Sequence, residues 1–505
     1  MLINSIKFVV FASLVVFLYY VFPIKKRWIV LLVSSYIFYY LSSKNLIIFI
    51  LLSTLSIYLA GIYIDKVNNK KEELTREKIK SRKKIIMLST VLFNTLILLV
   101  LKYSNFFIGS FNGIFRKNIP FVKILLPLGI SYYTLQAISY VVDVYRGKYK
   151  PSKNIFEVAL YLSFFPIITE GPISRFDFLA PKLYNGNKLK YENIINGLSL
   201  MLWGFFKKLV IADRAAIYVN EVFGNNLVGG GTVVVAIILY TIQIYAEFSG
   251  CMDIVTGLSK TMGIELASNF ERPFFSRSIQ EFWRRWHKTL GAWLKDYIFY
   301  PISLSHITMK ITKNARKKLN KNLAKFVPVA FSLFFVWFLN GFWHGASWKY
   351  ILYGLYYYII MMIGLLFKPL TDKIIEKLKI DTNSFGYRLF QIIRTCILVF
   401  IGMMLFRSKT IGDAFNMFVS IFTKPSYLLT SFGLTAIDFI IILISCLMLL
   451  IYGVLEEHNI KVIEELNNNK LWLRYLIYLT IVFMIIIFGI YGPGYNPSDF
   501  IYGQF

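Results

Sequence analysis

The stretch FWRRWHKTLGAWLKDYIFYPI, Phe282 to Ile302, has the aromatic content of a membrane segment. It nevertheless holds Arg284, Arg285, His287, Lys288, Lys295 and Asp296. A charge at the centre of a lipid-exposed helix costs about 2.5 to 3.5 kcal/mol on insertion scales. The stretch therefore belongs where its charges face protein or a watery opening, and the rest of the chain has to supply that setting.

It does so with apolar runs. Residues 7–22, 46–64, 85–101, 232–248, 326–343, 348–367, 439–455 and 472–490 are each long and apolar enough to enter a bilayer, for which about 20 residues suffice. The 505-residue chain is 57% hydrophobic, with a mean hydropathy of +0.58, above the range of soluble domains. The polar stretches, at most about 20 residues long, are too short to fold alone. The pattern predicts an all-α polytopic membrane protein with roughly 11 to 14 membrane-embedded helices, some of them broken or re-entrant. It reads as a single integral unit: scaffold helices over 1–110, a chemically unusual core over 125–355, and further helices over 356–505.

The net charge of +29, from 56 basic and 27 acidic residues, raises the question of nucleic acid. Its distribution argues against that partner. Lys25–Arg27, Asp65–Lys84, Arg146–Lys153 and Lys310–Lys325 form short basic clusters, the mark of the cytoplasmic side of spanning helices. This places a multi-pass protein in the cell membrane. Both termini are expected to be extracytoplasmic, including the tail Gly492–Phe505. Cys251, Cys396 and Cys446 have no disulfide or metal pattern.

Irregularity concentrates in the core. LPLGISYYTLQAISYVVDVYRG, Leu126–Gly147, is interrupted by Pro127 and Gly129. FFPIITEGPISR, Phe164–Arg175, carries two prolines, a glycine and a carboxylate. Such backbone is tolerated at membrane depth only where protein buries it or it lines a water-filled cavity. YAEFSGCMDIVTGL, Tyr245–Leu258, adds Glu247, Ser249 and Asp253.

Of the four histidines, His306 and His458 sit beside charged loops and read as solvated. His344 lies in GFWHGASW, Gly341–Trp348, between two apolar runs, with Asn340, Trp343 and close glycines around it. Apolar surroundings disfavour an imidazolium, and a neutral imidazole can take a proton from a hydroxyl. A core histidine bonded across helices remains the alternative. His287, with Trp286 and Arg285 beside it, is the second candidate. The two lack metal-ligand spacing, so no metal is expected. There is no P-loop, dinucleotide fingerprint or nucleophile elbow.

FWRRWHKTLGAWL and GFWHGASW together resemble the membrane-bound O-acyltransferases. Within that family they are most similar to the bacterial branch containing the alginate O-acetylation membrane protein. The three core stretches above resemble the same branch, in the same order. Ala246-Glu247 stands where that branch often has Phe-Asp. The resemblance implies a helical fold around a central passage, with His344 catalytic and His287 the second functional histidine. Asn340, Trp343, Trp286, Arg285, Glu247, Ser249 and Asp253 are then expected along the passage. It implies transfer of an acyl group from a cytoplasmic donor, acetyl-CoA, with no bound cofactor, for O-acetylation of an exported or cell-wall polysaccharide. A separate extracytoplasmic partner of the SGNH type completes such transfers in this branch. Arg284, Arg285 and Lys295 could attract donor phosphates. The rival readings are D-alanyl transfer to teichoic acids and transport of a polysaccharide or lipid-linked sugar.

Overall fold

A computed structural model describes residues 3, 5–70, 75–225, 228–426 and 430–491; the expected outside location of Gly492–Phe505 falls outside them. Among the described residues all regular structure is helical and no strand occurs. Nine stretches there are long and apolar enough to cross a membrane, and Ile6–Val21 and Ile411–Thr423 are shorter apolar helices. One of the nine, Ile24–Asn69, contains two helices, Arg27–Ser43 and Ile47–Asn69, separated by a single 3-10 turn.

The chain forms two compact units. The first comprises Met1–Gly204 and Cys251–Ala267, the second Phe205–Gly250 and Ser268–Ile501.

In the first unit the helix Ile130–Arg146 starts at Gly129, whose φ of +68° is left-handed. A Cβ at Gly129 would lie 1.9 Å from the carbonyl oxygen of Ile168, so only glycine fits. The helix Ile155–Ser163 stops before Pro166, and the irregular stretch that follows is almost wholly buried up to Ser174. Its polar groups find partners in protein: Phe165 N–H donates to Ser35 Oγ at 3.1 Å, and Tyr161 Oη donates to the Ser174 carbonyl at 2.9 Å. Irregular backbone at this point is therefore tolerated because protein buries it.

In the second unit the helix Lys321–His344 packs on Trp348–Lys377 through glycines. A Cβ at Gly341 would sit 2.3 Å from the Tyr350 carbonyl oxygen, and one at Gly354 would sit 2.2 Å from that of Trp337. Small residues permit this backbone approach.

Two of the basic clusters, 65–84 and 310–325, are mostly helix among the described residues. Ile47–Asn69 and Arg76–Leu98 extend into 65–84, and 310–325 divides between the helices His306–Lys318 and Lys321–His344. Amphipathic lysines and arginines lengthen helix ends beyond the apolar run.

Candidate active site

The charged stretch of the opening is two short helices with a break between them. Ile279–Arg285 is capped by Ser278, whose hydroxyl accepts from Glu281 N–H at 3.2 Å. Trp286 is extended and His287 is left-handed, with φ 46° and ψ 51°; Lys288–Leu294 then resumes the helix. A non-glycine residue rarely takes that conformation, and it marks a locally held position. The break turns His287 inward and buries it to 3% exposure.

His344 ends its helix, because Gly345 departs with a φ of 171° and Ser347 N–H donates to the Gly345 carbonyl at 2.9 Å. It too is 3% exposed. Rings enclose it, Phe406 at 5.3 Å and Tyr353 at 5.8 Å, both edge-on. Gly345 is small because the Tyr350 ring needs the space: a Cβ there would meet it at 2.4 Å. The glycines beside His344 thus admit neighbouring protein.

His287 and His344 line one cavity of about 460 Å³ in the second unit, with Trp283, Trp286, Trp337 and Asn340 among its walls. Trp343 lies between the two imidazoles, 5.8 Å from one ring and 5.1 Å from the other. Phe248 packs edge-on against His287 at 4.9 Å. His287 Nδ1 meets Asn269 Oδ1 at 3.1 Å, while its Nε2 is buried with no hydrogen-bond partner among the described residues, as is Asn340 Nδ2. His287 lies outside the candidate spans, and burial pushes its pKa down to about 3, so the ring is neutral around pH 7. Arg284, Lys288 and Lys295 line the same cavity. Arg284 and Lys295 are exposed, and Lys288 pairs with Glu271 at 2.5 Å.

Of the residues expected along a passage, Asn340, Trp286 and the two histidines come together here, and Trp343 adjoins them. Others go elsewhere. Arg285 is absent from the cavity lining, contrary to its expected place beside a ligand; it is held by Glu281 at 2.8 Å and Glu457 at 2.9 Å. Glu247 and Ser249 do not line the cavity either. Lys208 reaches Glu247 at 2.8 Å and Asp213 at 2.9 Å, and Lys207 donates to Ser249 Oγ at 3.0 Å. Glu247 and Asp213 thus balance the buried Lys208 ammonium, which is what a buried charge requires. Asp253 is half-buried and belongs to the first unit. His306 and His458 are exposed. Sequence reasoning passed over Asn269, although it stands only 18 positions before His287; a lone asparagine in a loop carries no distinguishing signal.

Fold and site together define an integral-membrane protein with a cavity lined by two buried histidines. The model of the membrane-bound O-acyltransferase family matches residues 152–406, and the chain belongs to that family. It is 28% identical to a probable alginate O-acetylase of Pseudomonas putida, over 97% of this chain and 96% of that one. It is 31% identical to a peptidoglycan O-acetyltransferase of Helicobacter pylori, over 58% of this chain and 57% of that one. It is also 31% identical to a teichoic acid D-alanyltransferase of Bacillus subtilis, over 46% and 58%. The protein is accordingly a multi-pass membrane acyltransferase.

Proposed function

We propose that this acyltransferase O-acetylates an exported or cell-wall polysaccharide. The observation that carries the reading is the convergence of His287 and His344, 57 positions apart in sequence, on one cavity. His344 takes the proton of the acceptor hydroxyl, the oxygen bonds to the acyl carbon, and the bond from that carbon to the donor's leaving sulfur breaks. The proton then passes to the sulfur, so the imidazole ends unchanged. Asn340, whose Nδ2 has no hydrogen-bond partner among the described residues, donates to the acyl oxygen as charge develops there. His287 orients the hydroxyl.

The donor in this reading is acetyl-CoA entering from the cytoplasm. Support comes from the cations at the cavity: Arg284 shows no acidic partner among the described residues, and the Lys295 ammonium lies 5.6 Å from the centroid of the Tyr300 ring. Guanidinium and ammonium groups so placed suit phosphate. A separate extracytoplasmic partner of the SGNH type passes the acetyl group to the polymer, and both termini face that side. The long share of sequence in common with the alginate O-acetylase supports acetyl as the group carried.

The test uses sealed vesicles holding the chain together with an extracytoplasmic partner of the SGNH type, supplied with acetyl-labelled coenzyme A. Label appearing on added polysaccharide supports the reading. Label appearing only when alanyl thioester replaces the acetyl donor moves the chain to alanyl transfer. Polymer movement without label transfer marks a transporter.

A further inference from the structure

Three donors converge on one oxygen beside His287. Asn269 Oδ1 lies 3.2 Å from the backbone nitrogen of Thr289, 2.9 Å from Thr289 Oγ1 and 3.1 Å from His287 Nδ1. A backbone N–H can only donate, so the shared atom is the amide oxygen, an acceptor. His287 Nδ1 must then carry the hydrogen it offers. The backbone of Asn269 holds the same turn, for its carbonyl accepts from Lys288 N–H at 2.9 Å. Asn269 thus ties down His287, at its left-handed φ of 46°, together with the two residues that follow it.

Neutral imidazole with hydrogen on Nδ1 has a bare lone pair on Nε2. That Nε2 is buried, has no hydrogen-bond partner among the described residues, and belongs to a residue lining the cavity. A buried polar atom left unpaired is uncommon and calls for a ligand or another explanation. Here the missing partner must be a donor, and the cations at this cavity are not its partners.

We propose that Asn269 is a positioning residue that fixes His287 as the Nδ1–H tautomer, so that Nε2 accepts a hydrogen bond from a hydroxyl bound in the cavity. The identity of that hydroxyl as the acyl acceptor rests on the function proposed above; the tautomer lock does not. Asn269 touches no substrate in this arrangement and acts through His287. The amide suits the task, since it accepts from Nδ1–H without adding a negative charge beside a ring that has to stay neutral.

The experiment is nitrogen NMR of the full chain in detergent with ¹⁵N-labelled histidine, His287 being assigned by the signal that His287→Asn removes. The expected wild-type spectrum has hydrogen on Nδ1 and none on Nε2. Asn269→Ala should shift the ring toward the other tautomer and lower acyl transfer about tenfold or more, as misplacement of a positioned group does. Asn269→Asp, which keeps the acceptor oxygen, should retain Nδ1–H and restore part of the transfer. Thr289→Val removes one competing donor and should leave the tautomer as it is. A wild-type ring with hydrogen on Nε2 overturns the inference by itself, even where Asn269→Ala fails to fold; so does an unchanged tautomer in a folded Asn269→Ala. The expected tautomer combined with no acyl transfer to any hydroxyl leaves the lock standing and removes the proposed function instead.

Discussion

Arg285 and Glu457, 172 positions apart, meet through a two-pronged contact: Nη1 lies 2.9 Å and 3.1 Å from the two carboxylate oxygens and Nη2 lies 3.1 Å from one of them. Glu457 also accepts from Arg272 Nε at 2.6 Å. The end of the helix Ala436–Glu457 therefore clamps the segment that turns into His287. Such pairing is strong because donor and acceptor are both charged and the fork matches the carboxylate. Both partners are partly exposed, which limits the effect to about 1–2 kcal/mol.

Glu457→Gln should accordingly lower thermal stability in detergent modestly and loosen the 272–288 segment, while leaving the histidines in place. Proteolysis or hydrogen exchange confined to that segment is the direct readout. An unchanged exchange pattern would count against the clamp.

Gly341→Ala should be far more damaging than its size suggests. Its Cβ would press on the Tyr350 carbonyl at 2.3 Å, and backbone cannot step aside as a side chain can. Overpacking of this kind costs about 1–3 kcal/mol. Because His344 follows three positions later, activity should fall as well. Unfolding temperature and acyl transfer, measured on one preparation, check both effects.

The neutral state of His287 gives a pH dependence with a defined sign. Its folded pKa is pushed down to about 3, whereas an unfolded histidine titrates near 6.5. Between those values the unfolded chain binds more protons, so stability is lost as pH falls below about 6.5. The slope reaches at most about 1.4 kcal/mol per pH unit. His287→Asn lacks that component. Going from about pH 7 to about pH 5 should therefore destabilise the wild type more than the variant, and equal losses in thermal scans would contradict a buried neutral ring.

Cysteine labelling checks the sidedness. On a background lacking Cys251, Cys396 and Cys446, single cysteines at positions 78 and 313 should resist an impermeant thiol reagent in intact cells. Ready labelling would reverse the side from which the donor enters.

The fold was legible where lipid dictates composition. The runs 348–367, 439–455 and 472–490 correspond to Trp348–Lys377, Ala436–Glu457 and Leu471–Phe488, because a helix facing lipid must be apolar all along. It was less legible where charges are paired. Glu247 and Asp253 look like interruptions, yet Gly230–Thr261 is one continuous helix, and Lys208 neutralises Glu247. Nothing local announces a partner 39 positions away.

The site was legible in its histidines and their aromatic company, and illegible in its orientation. Arg284 and Arg285 are adjacent and chemically alike. One lines the cavity and the other turns to Glu457, a choice set by helical phase and by the left-handed turn at His287. Asn269 escaped notice because its role depends on folding back over 18 positions to His287.

The central claim is that two buried histidines on one cavity perform acyl transfer to a hydroxyl, with different tasks. The measurement is thioester hydrolysis and hydroxyl acylation, side by side, for the wild type, His344→Ala and His287→Ala in the same vesicle preparation. His344→Ala should lose both activities by about a hundredfold or more, as removal of a general base does. His287→Ala should lose acylation strongly and keep some hydrolysis, since water needs less orientation than a sugar hydroxyl. Acylation within about threefold of wild type in the His344→Ala protein would contradict the account, and loss of both activities only in His287→Ala would reverse the two roles.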